Sequence, residues 1–242
     1  SPDSQNMTPN LQTFVNSFHR LEPPVRQHLK NVYGTLMMTC ASASAGVYVD
    51  LYTRFQAGFL SAIIGAGLML MLIATPDNGK NTSLRLGYLL GFGLTSGMSL
   101  GPLLEYVSFV DPSIIMTALM GTTLVFVCFS LAALLAERGS WLFLGGTLMT
   151  LLTSMSLMTI ANLFLQSQIL YQVSSTHLYL GLMLMCGFIL FDTQLIIEKR
   201  RMGNKDFVQH ALELFIDFIG VFRRLLIILT QKEEQNRRRK RD

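Results

Sequence analysis

The stretch FVQHALELFIDFIGVFRRLLIILT, residues 207–230, is long enough to cross a membrane, yet titratable side chains interrupt it. Spacings of 3, 4, 3 and 4 residues relate five of its members: His210, Glu213, Asp217, Gly220 and Arg224. In a helix this spacing places them along one face. Because charged side chains are costly in hydrocarbon, that face must turn toward other helices or a water-filled cavity. The stretch therefore predicts a central helix around which more apolar helices pack.

The rest of the chain can supply those apolar helices. Only 14% of the 242 residues are charged, where a soluble protein has about 25%, and the mean hydropathy is +0.42. Apolar stretches of about the length of a span lie near 33–51, 57–74, 86–107, 113–135, 141–165 and 177–197. The linkers between them are too short for a soluble domain. We therefore predict an all-α integral membrane protein, with six transmembrane helices around the seventh.

The ends of the chain are polar, and their charge predicts the orientation. A polar segment at 1–32 and a basic tail at 231–242 flank the predicted bundle at 33–230. Lys and Arg concentrate in the first segment and in alternate loops, which predicts a cytosolic N-terminus. Seven complete spans would put the tail on the opposite side, whereas a re-entrant seventh helix would keep it cytosolic. The six basic residues of the tail favour a cytosolic tail, and therefore a seventh segment that re-enters or is sheltered inside the other helices.

A second buried carboxylate lies in the run GFILFDTQLIIEK, residues 187–199, near the end of the sixth span. The short linker at 198–206 makes the sixth and seventh helices antiparallel. At about 1.5 Å per residue, Asp192 lies roughly 9 Å from this linker, Glu213 roughly 10 Å and Asp217 roughly 16 Å. These depths are similar enough for side-chain length and helix tilt to bring Asp192 and Asp217 together.

Two carboxyl groups in contact share a proton, because ionising both is costly. We therefore interpret Asp192 and Asp217 as a pH sensor in a proton or cation path, which deprotonation would split apart. His210, Glu213 and Arg224 would form a supporting polar stripe. The alternative is that the two carboxylates neutralise Arg223 or Arg224 as structural ion pairs.

Three glycines, Gly93, Gly97 and Gly101, recur every fourth residue and form a smooth helix face. The favoured interpretation is close packing against a neighbouring helix, and the alternative is a helix that slides during gating. A different set of carboxylates lies at span ends, where we expect them to be solvated: Asp50, Glu105 and Asp111.

Other kinds of chemistry have little support in the sequence. The net charge of +4 lies mostly in the tail, so it does not indicate nucleic-acid binding. No motif of a serine hydrolase or an intramembrane aspartyl protease is present, and we expect no enzymatic activity. We expect no cofactor and no firm metal site. The basic end of the tail either binds anionic lipid or is merely solvated: Arg237, Arg238, Arg239, Lys240 and Arg241.

The run at 187–199, followed by Asp217-Phe218-Ile219 and Phe222-Arg223-Arg224, closely resembles the Bax inhibitor family. The resemblance spans about residues 25–230 and includes further runs: His28-Leu29-Lys30, Gln56-Ala57-Gly58, Leu100-Gly101-Pro102 and Trp141-Leu142-Phe143. It implies a helical protein of the endoplasmic reticulum membrane that suppresses cell death, leaks calcium in a pH-sensitive way and associates with Bcl-2-type proteins. It also implies that Asp192 and Asp217 form the pH sensor.

Two functions follow from the residues and the resemblance together. The first is a leak for Ca²⁺ or other cations, with Asp192 and Asp217 as the gate and as transient ligands of the transported Ca²⁺. The second is a scaffold that conducts no ions and regulates cell-death proteins or other calcium channels.

Overall fold

The computed structural model describes residues 20–53, 58–165 and 168–242, with the side chains of 162–175 excepted. Most of the polar segment expected at 1–32 therefore lies outside the described residues. Throughout the described ranges the regular secondary structure is helical. Seven helices follow one another: α1 (Pro23–Tyr52), α2 (Gly58–Ala74), α3 (Thr82–Val110), α4 (Ser113–Leu135), α5 (Leu144–Leu165), α6 (Gln168–Arg201) and α7 (Phe207–Arg239).

Helix α1 begins at Pro23, ten residues before the expected span at 33. Proline is favoured in the first turn of a helix, where its missing N–H has no intrahelical partner. Val25, His28, Leu29 and Val32 are all buried, at the spacing of one helix face. A search for continuous apolar stretches overlooks this amphipathic start, because polar residues separate the buried ones.

Helix α7 lies at the centre, although the ring around it is incomplete. It packs against α1, α3, α4 and α6, whereas α2 packs chiefly on α3 and α5 packs on α6. Two edge-to-face ring contacts lie at the centre. Phe215 packs against Phe92 of α3, and Phe218 packs against Phe126 of α4. The predicted arrangement of six helices around one is therefore only partly realised.

Helix α7 is continuous over 33 residues, which corresponds to a length of about 50 Å. Its start lies beside the start of α3, where Arg85 pairs with Asp206. Its far part lies beside the end of α3, where the Tyr106 hydroxyl donates to Glu234. Residues 85 and 106 are about 32 Å apart along α3. The loop at 202–206 and the tail are thus at opposite ends of the bundle.

This continuous course of α7 differs from the re-entrant form and fits the alternative in which the seventh segment is sheltered inside the other helices. The four neighbouring helices shelter the polar face of α7, so the chain can cross the whole bundle without turning back. The first nine residues of the expected tail, 231–239, continue the helix.

The glycine face of α3 packs tightly against α1. A methyl group added at Gly97 would overlap the backbone of Ala43, and one at Gly93 would lie 2.8 Å from the carbonyl oxygen of Thr39. Gly46 of α1 is equally close to the backbone of Leu94. The structure therefore supports the close-packing interpretation of the stripe.

By length and composition, four of the described helices could cross a membrane: α1, α4, the 144–161 part of α5 and the 176–201 part of α6. Helix α2 is also apolar but has only 17 residues. Many large apolar side chains are exposed on the outside of the bundle, including Phe59, Leu70 and Met183. Such a surface suits a lipid environment.

Candidate functional site, a buried aspartate pair

Asp192 of α6 and Asp217 of α7 meet across the contact between the two helices, and their carboxyl groups lie within hydrogen-bonding reach of each other. Asp217 is only 4% exposed, and its Oδ2 atom is enclosed without a hydrogen-bond donor. A buried carboxylate oxygen with no donor is costly when it is ionised. The arrangement therefore favours one proton held between the two carboxyl groups.

The residues next to Asp192 hold this part of α6 in place. Thr193 is fully buried, and its hydroxyl donates to the carbonyl of Ile189 one turn earlier. Gln194 accepts a 2.7 Å hydrogen bond from the backbone N–H of Trp141, and it donates to the carbonyl of Ala133 in α4. The Asp-Thr-Gln run thus fixes α6 against α4 and the loop at 136–143, with Asp192 presented to α7.

Glu213 extends the acidic character by one turn toward the start of α7. It lies 3.9 Å from the ammonium group of Lys199, and its Oε2 atom is buried without a hydrogen-bond partner. Its charge is close enough to act on both Asp192 and Asp217. Three carboxyl groups therefore follow one another along the α6 and α7 contact.

Neither Arg223 nor Arg224 pairs with these carboxylates within the described structure. The guanidinium of Arg224 donates to the carbonyl of Gly220 at 3.1 Å and lies against Gly181 of α6. Arg223 is exposed and forms no ion pair in the described residues. The alternative in which Arg223 or Arg224 neutralises the two aspartates thus lacks the contacts that it requires.

His210 belongs to a different site, although it shares a helix face with Asp217. It is fully buried, and its Nδ1 atom lies 2.9 Å from Nε2 of His28 in α1. Its other ring nitrogen, Nε2, has no hydrogen-bond partner. The arrangement of lowest free energy has His210 Nδ1–H donating to Nε2 of His28. The unpartnered Nε2 atom of His210 then carries a lone pair rather than an N–H group, which costs less to bury.

A buried ion pair lies next to the histidines. Arg85 of α3, which is 3% exposed, donates to the carboxylate of Asp206 and to the carbonyl oxygen of Thr75. Asp206 is also the N-cap of α7, since it accepts from the backbone N–H of Gln209. This pair fixes the start of α7 against α3 and the loop at 75–81.

The sequence interpretation missed the histidine contact and the Arg85 ion pair. The burial of His28 could have been inferred from its spacing with Val25, Leu29 and Val32, had α1 been extended to Pro23. The partner of Arg85 could not have been inferred, because no sequence pattern connects residues 85 and 206.

The span-end carboxylates differ in their surroundings. The expectation that Asp50 is solvated is wrong, because it is 3% exposed and packs on Gly101, where no side chain would fit. Glu105 is exposed. Hydrogen bonds from the hydroxyl and backbone N–H of Ser113 hold the pKa of Asp111 below its usual range. Across the described residues, no three His, Cys, Asp or Glu side chains are grouped so as to hold a metal ion.

Comparison with known proteins finds relatives over most of the chain. The family model described as "Inhibitor of apoptosis-promoting Bax1" matches residues 25–234. Bax inhibitor 1 of Homo sapiens is 47% identical over 224 residues, which cover 92% of this chain and 93% of the human protein. Bax inhibitor 1 of Drosophila melanogaster is 47% identical over 95% of this chain and 94% of its own length, and that of Arabidopsis thaliana is 38% identical over 89% and 85%.

These matches cover nearly the whole helical bundle, including the aspartate pair and the histidine pair. Together with the apolar helices they identify a multi-pass helical membrane protein. The resemblance inferred from the 187–199 run is thereby confirmed, and the chain belongs to the Bax inhibitor family.

Proposed function

We propose that this protein is a pH-sensitive leak for Ca²⁺ and other cations in the endoplasmic reticulum membrane, and that it suppresses apoptosis. One observation carries the ion-leak part of the proposal. Two carboxyl groups from facing helices meet inside the bundle, with no basic side chain paired to either of them in the described residues. Acidic residues at such a depth are characteristic of ion and proton paths.

The proposed gate is the contact between α6 and α7. While one proton is shared, the hydrogen bond between Asp192 and Asp217 holds the two helices together. When the pH rises and the proton leaves, two negative charges face each other in a poorly solvated site and repel. The helices then separate, and the freed carboxylates with Glu213 become oxygen ligands for a passing Ca²⁺ ion, which prefers such ligands.

The cellular part of the proposal rests on the relatives. The relatives are named Bax inhibitor 1, and the family model is described as an inhibitor of apoptosis-promoting Bax1. We extend this role to the present chain, with a location in the endoplasmic reticulum membrane, a cytosolic N-terminus and Bcl-2-type proteins as partners.

Calcium flux through the purified protein in liposomes tests the proposal. Asp192→Asn and Asp217→Asn each replace a titratable oxygen with an amide of nearly equal size. We expect both variants to fold and to show a flux that is abolished or no longer varies between about pH 6 and pH 8. Asp111→Asn is the matched control, since Asp111 lies in a turn outside the bundle, and it should behave like the unaltered protein.

Two results would contradict the proposal. Unchanged pH-dependent flux in both single variants would make the aspartate pair structural and direct the search for the gate to His210 and Glu213. A complete lack of flux through the folded, unaltered protein would favour the non-conducting scaffold.

A further inference from the structure

A groove opens between α2, α3 and α7 on the outside of the bundle. It forms because α2 packs chiefly on α3 and leaves part of α7 uncovered. Its volume is about 540 Å³, which falls in the range of about 300–1,000 Å³ that is usual for ligand sites. Ile216 of α7 is 40% exposed there, although it lies on the central helix and next to Asp217. The groove is separate from the aspartate pair, because Asp192 and Asp217 do not line it.

The groove has the length of one membrane leaflet. Along α2 it extends from Gly58 to Met69, which is about 16 Å, and half of the hydrocarbon core measures about 15 Å. Small side chains on α2, Ala62 and Ala66, leave the space open. This space gives an acyl chain room to contact the apolar side chains that line the groove.

The two ends of the groove differ in polarity. Phe92 and Met69 line the apolar end, where the ring of Phe92 also contacts Phe215 of α7. Because α3 and α7 run parallel, a position eight residues beyond Phe215 is level with one eight residues beyond Phe92. Arg223 of α7 therefore lies level with Leu100, at the Gly58 end of the groove. The site is apolar at one end and positively charged at the other.

Arg223 supplies the charge that selects the ligand. Its side chain is exposed, and no carboxylate pairs with it anywhere in the described residues. The neighbouring Arg224 turns instead toward α6 and the carbonyl of Gly220. A guanidinium at the mouth of an apolar groove disfavours a cation and suits a phosphate, to which it can donate two parallel hydrogen bonds.

We propose that this groove binds an anionic phospholipid of the bilayer, with one acyl chain lying between α2 and α7 and its phosphate at Arg223. The site is distinct from the basic end of the tail. It does not depend on whether the protein conducts Ca²⁺.

Lipid retention by the full-length purified protein, measured by native mass spectrometry, tests this site. Dioleoylphosphatidylserine is the anionic probe, and dioleoylphosphatidylcholine is the zwitterionic comparison. We expect Arg223→Gln to retain about fivefold less phosphatidylserine, the effect of removing one cation at a membrane surface. Arg224→Gln is the matched control and should retain as much as the unaltered protein. Both variants keep the tail, so tail binding contributes equally to each.

A second pair of variants tests the apolar part independently of the charge. Ala66→Phe places a ring in the groove and should reduce retention of both lipids. Ile63→Phe enlarges an exposed side chain that does not line the groove, and it should leave retention unchanged. Equal losses in Arg223→Gln and Arg224→Gln, or undiminished retention in Ala66→Phe, would overturn the proposal and leave only non-specific surface attraction.

Discussion

On one face of α7, two turns apart, His210 and Asp217 each form a buried pair with a titratable side chain of another helix. The aspartate pair favours an added proton, whereas the histidine pair favours its neutral form. Asp217 meets Asp192, and a proton between them removes the repulsion of two carboxylates. His210 meets His28 through a hydrogen bond that neutral imidazoles already make, so an added proton would bring an unpaired charge into a buried site. We therefore expect a change of pH to act on the aspartate pair while the histidine pair stays intact.

The surroundings explain this difference. The histidine pair lies beside the Arg85 and Asp206 ion pair, in which both charges have a partner. Together, the histidine pair and the ion pair hold the starts of α1, α3 and α7 in place. We therefore expect both pairs to be structural. The aspartate pair lies deeper, and the charged side chains that act on it within the described residues are Lys199 and Glu213. A site with an excess of like charge is poor for stability and suited to a switch.

Removing the ion pair between Arg85 and Asp206 should have the largest effect on the free energy of unfolding. Asp206→Ala leaves the buried guanidinium of Arg85 without its counter-charge and removes the N-cap of α7. We expect a loss of about 3–5 kcal/mol in the free energy of unfolding, measured in mixed micelles with increasing denaturing detergent. Asp206→Asn keeps the cap acceptor and should lose less. A loss below about 1 kcal/mol for Asp206→Ala would show that the ion pair does not anchor α7.

Removing one histidine should have a smaller effect. His210→Ala leaves a cavity at a fully buried position and deprives His28 of its partner. We expect a loss of about 2–3 kcal/mol in the same unfolding measurement. His177→Ala is the control, since His177 is only half-buried and contacts the carbonyl of Met155. If both variants lost equally little, the histidine contact would be incidental.

The aspartate pair should be the least important of these sites for stability. Asp217→Asn removes a charge conflict and can keep a hydrogen bond to Asp192, because an amide donates as well as accepts. We expect its free energy of unfolding to lie within about 1 kcal/mol of the unaltered protein. A loss as large as that of His210→Ala would mean that the aspartate pair is structural as well.

The sequence predicted the helices and the aspartate pair because both depend on local information. Continuous apolar runs identified α4 at its observed bounds, and the short linker after Glu198 forced Asp192 toward Asp217. The start of α1, the Arg85 ion pair and the groove at Arg223 depend on which helices become neighbours. The charge of the tail could not distinguish a re-entrant α7 from one sheltered inside the bundle, since charge counting does not reveal which helices pack around it.

We propose above that Asp192 and Asp217 share a titratable proton. Infrared difference spectra of the protein in lipid, recorded between about pH 6 and pH 8, observe the carbonyl stretch of a protonated carboxyl group directly. We expect a carboxyl band that is lost as the pH rises, that is missing from both Asp192→Asn and Asp217→Asn, and that persists in Asp111→Asn. A band that titrates unchanged in both single variants, or no titrating band in the unaltered protein, would contradict it.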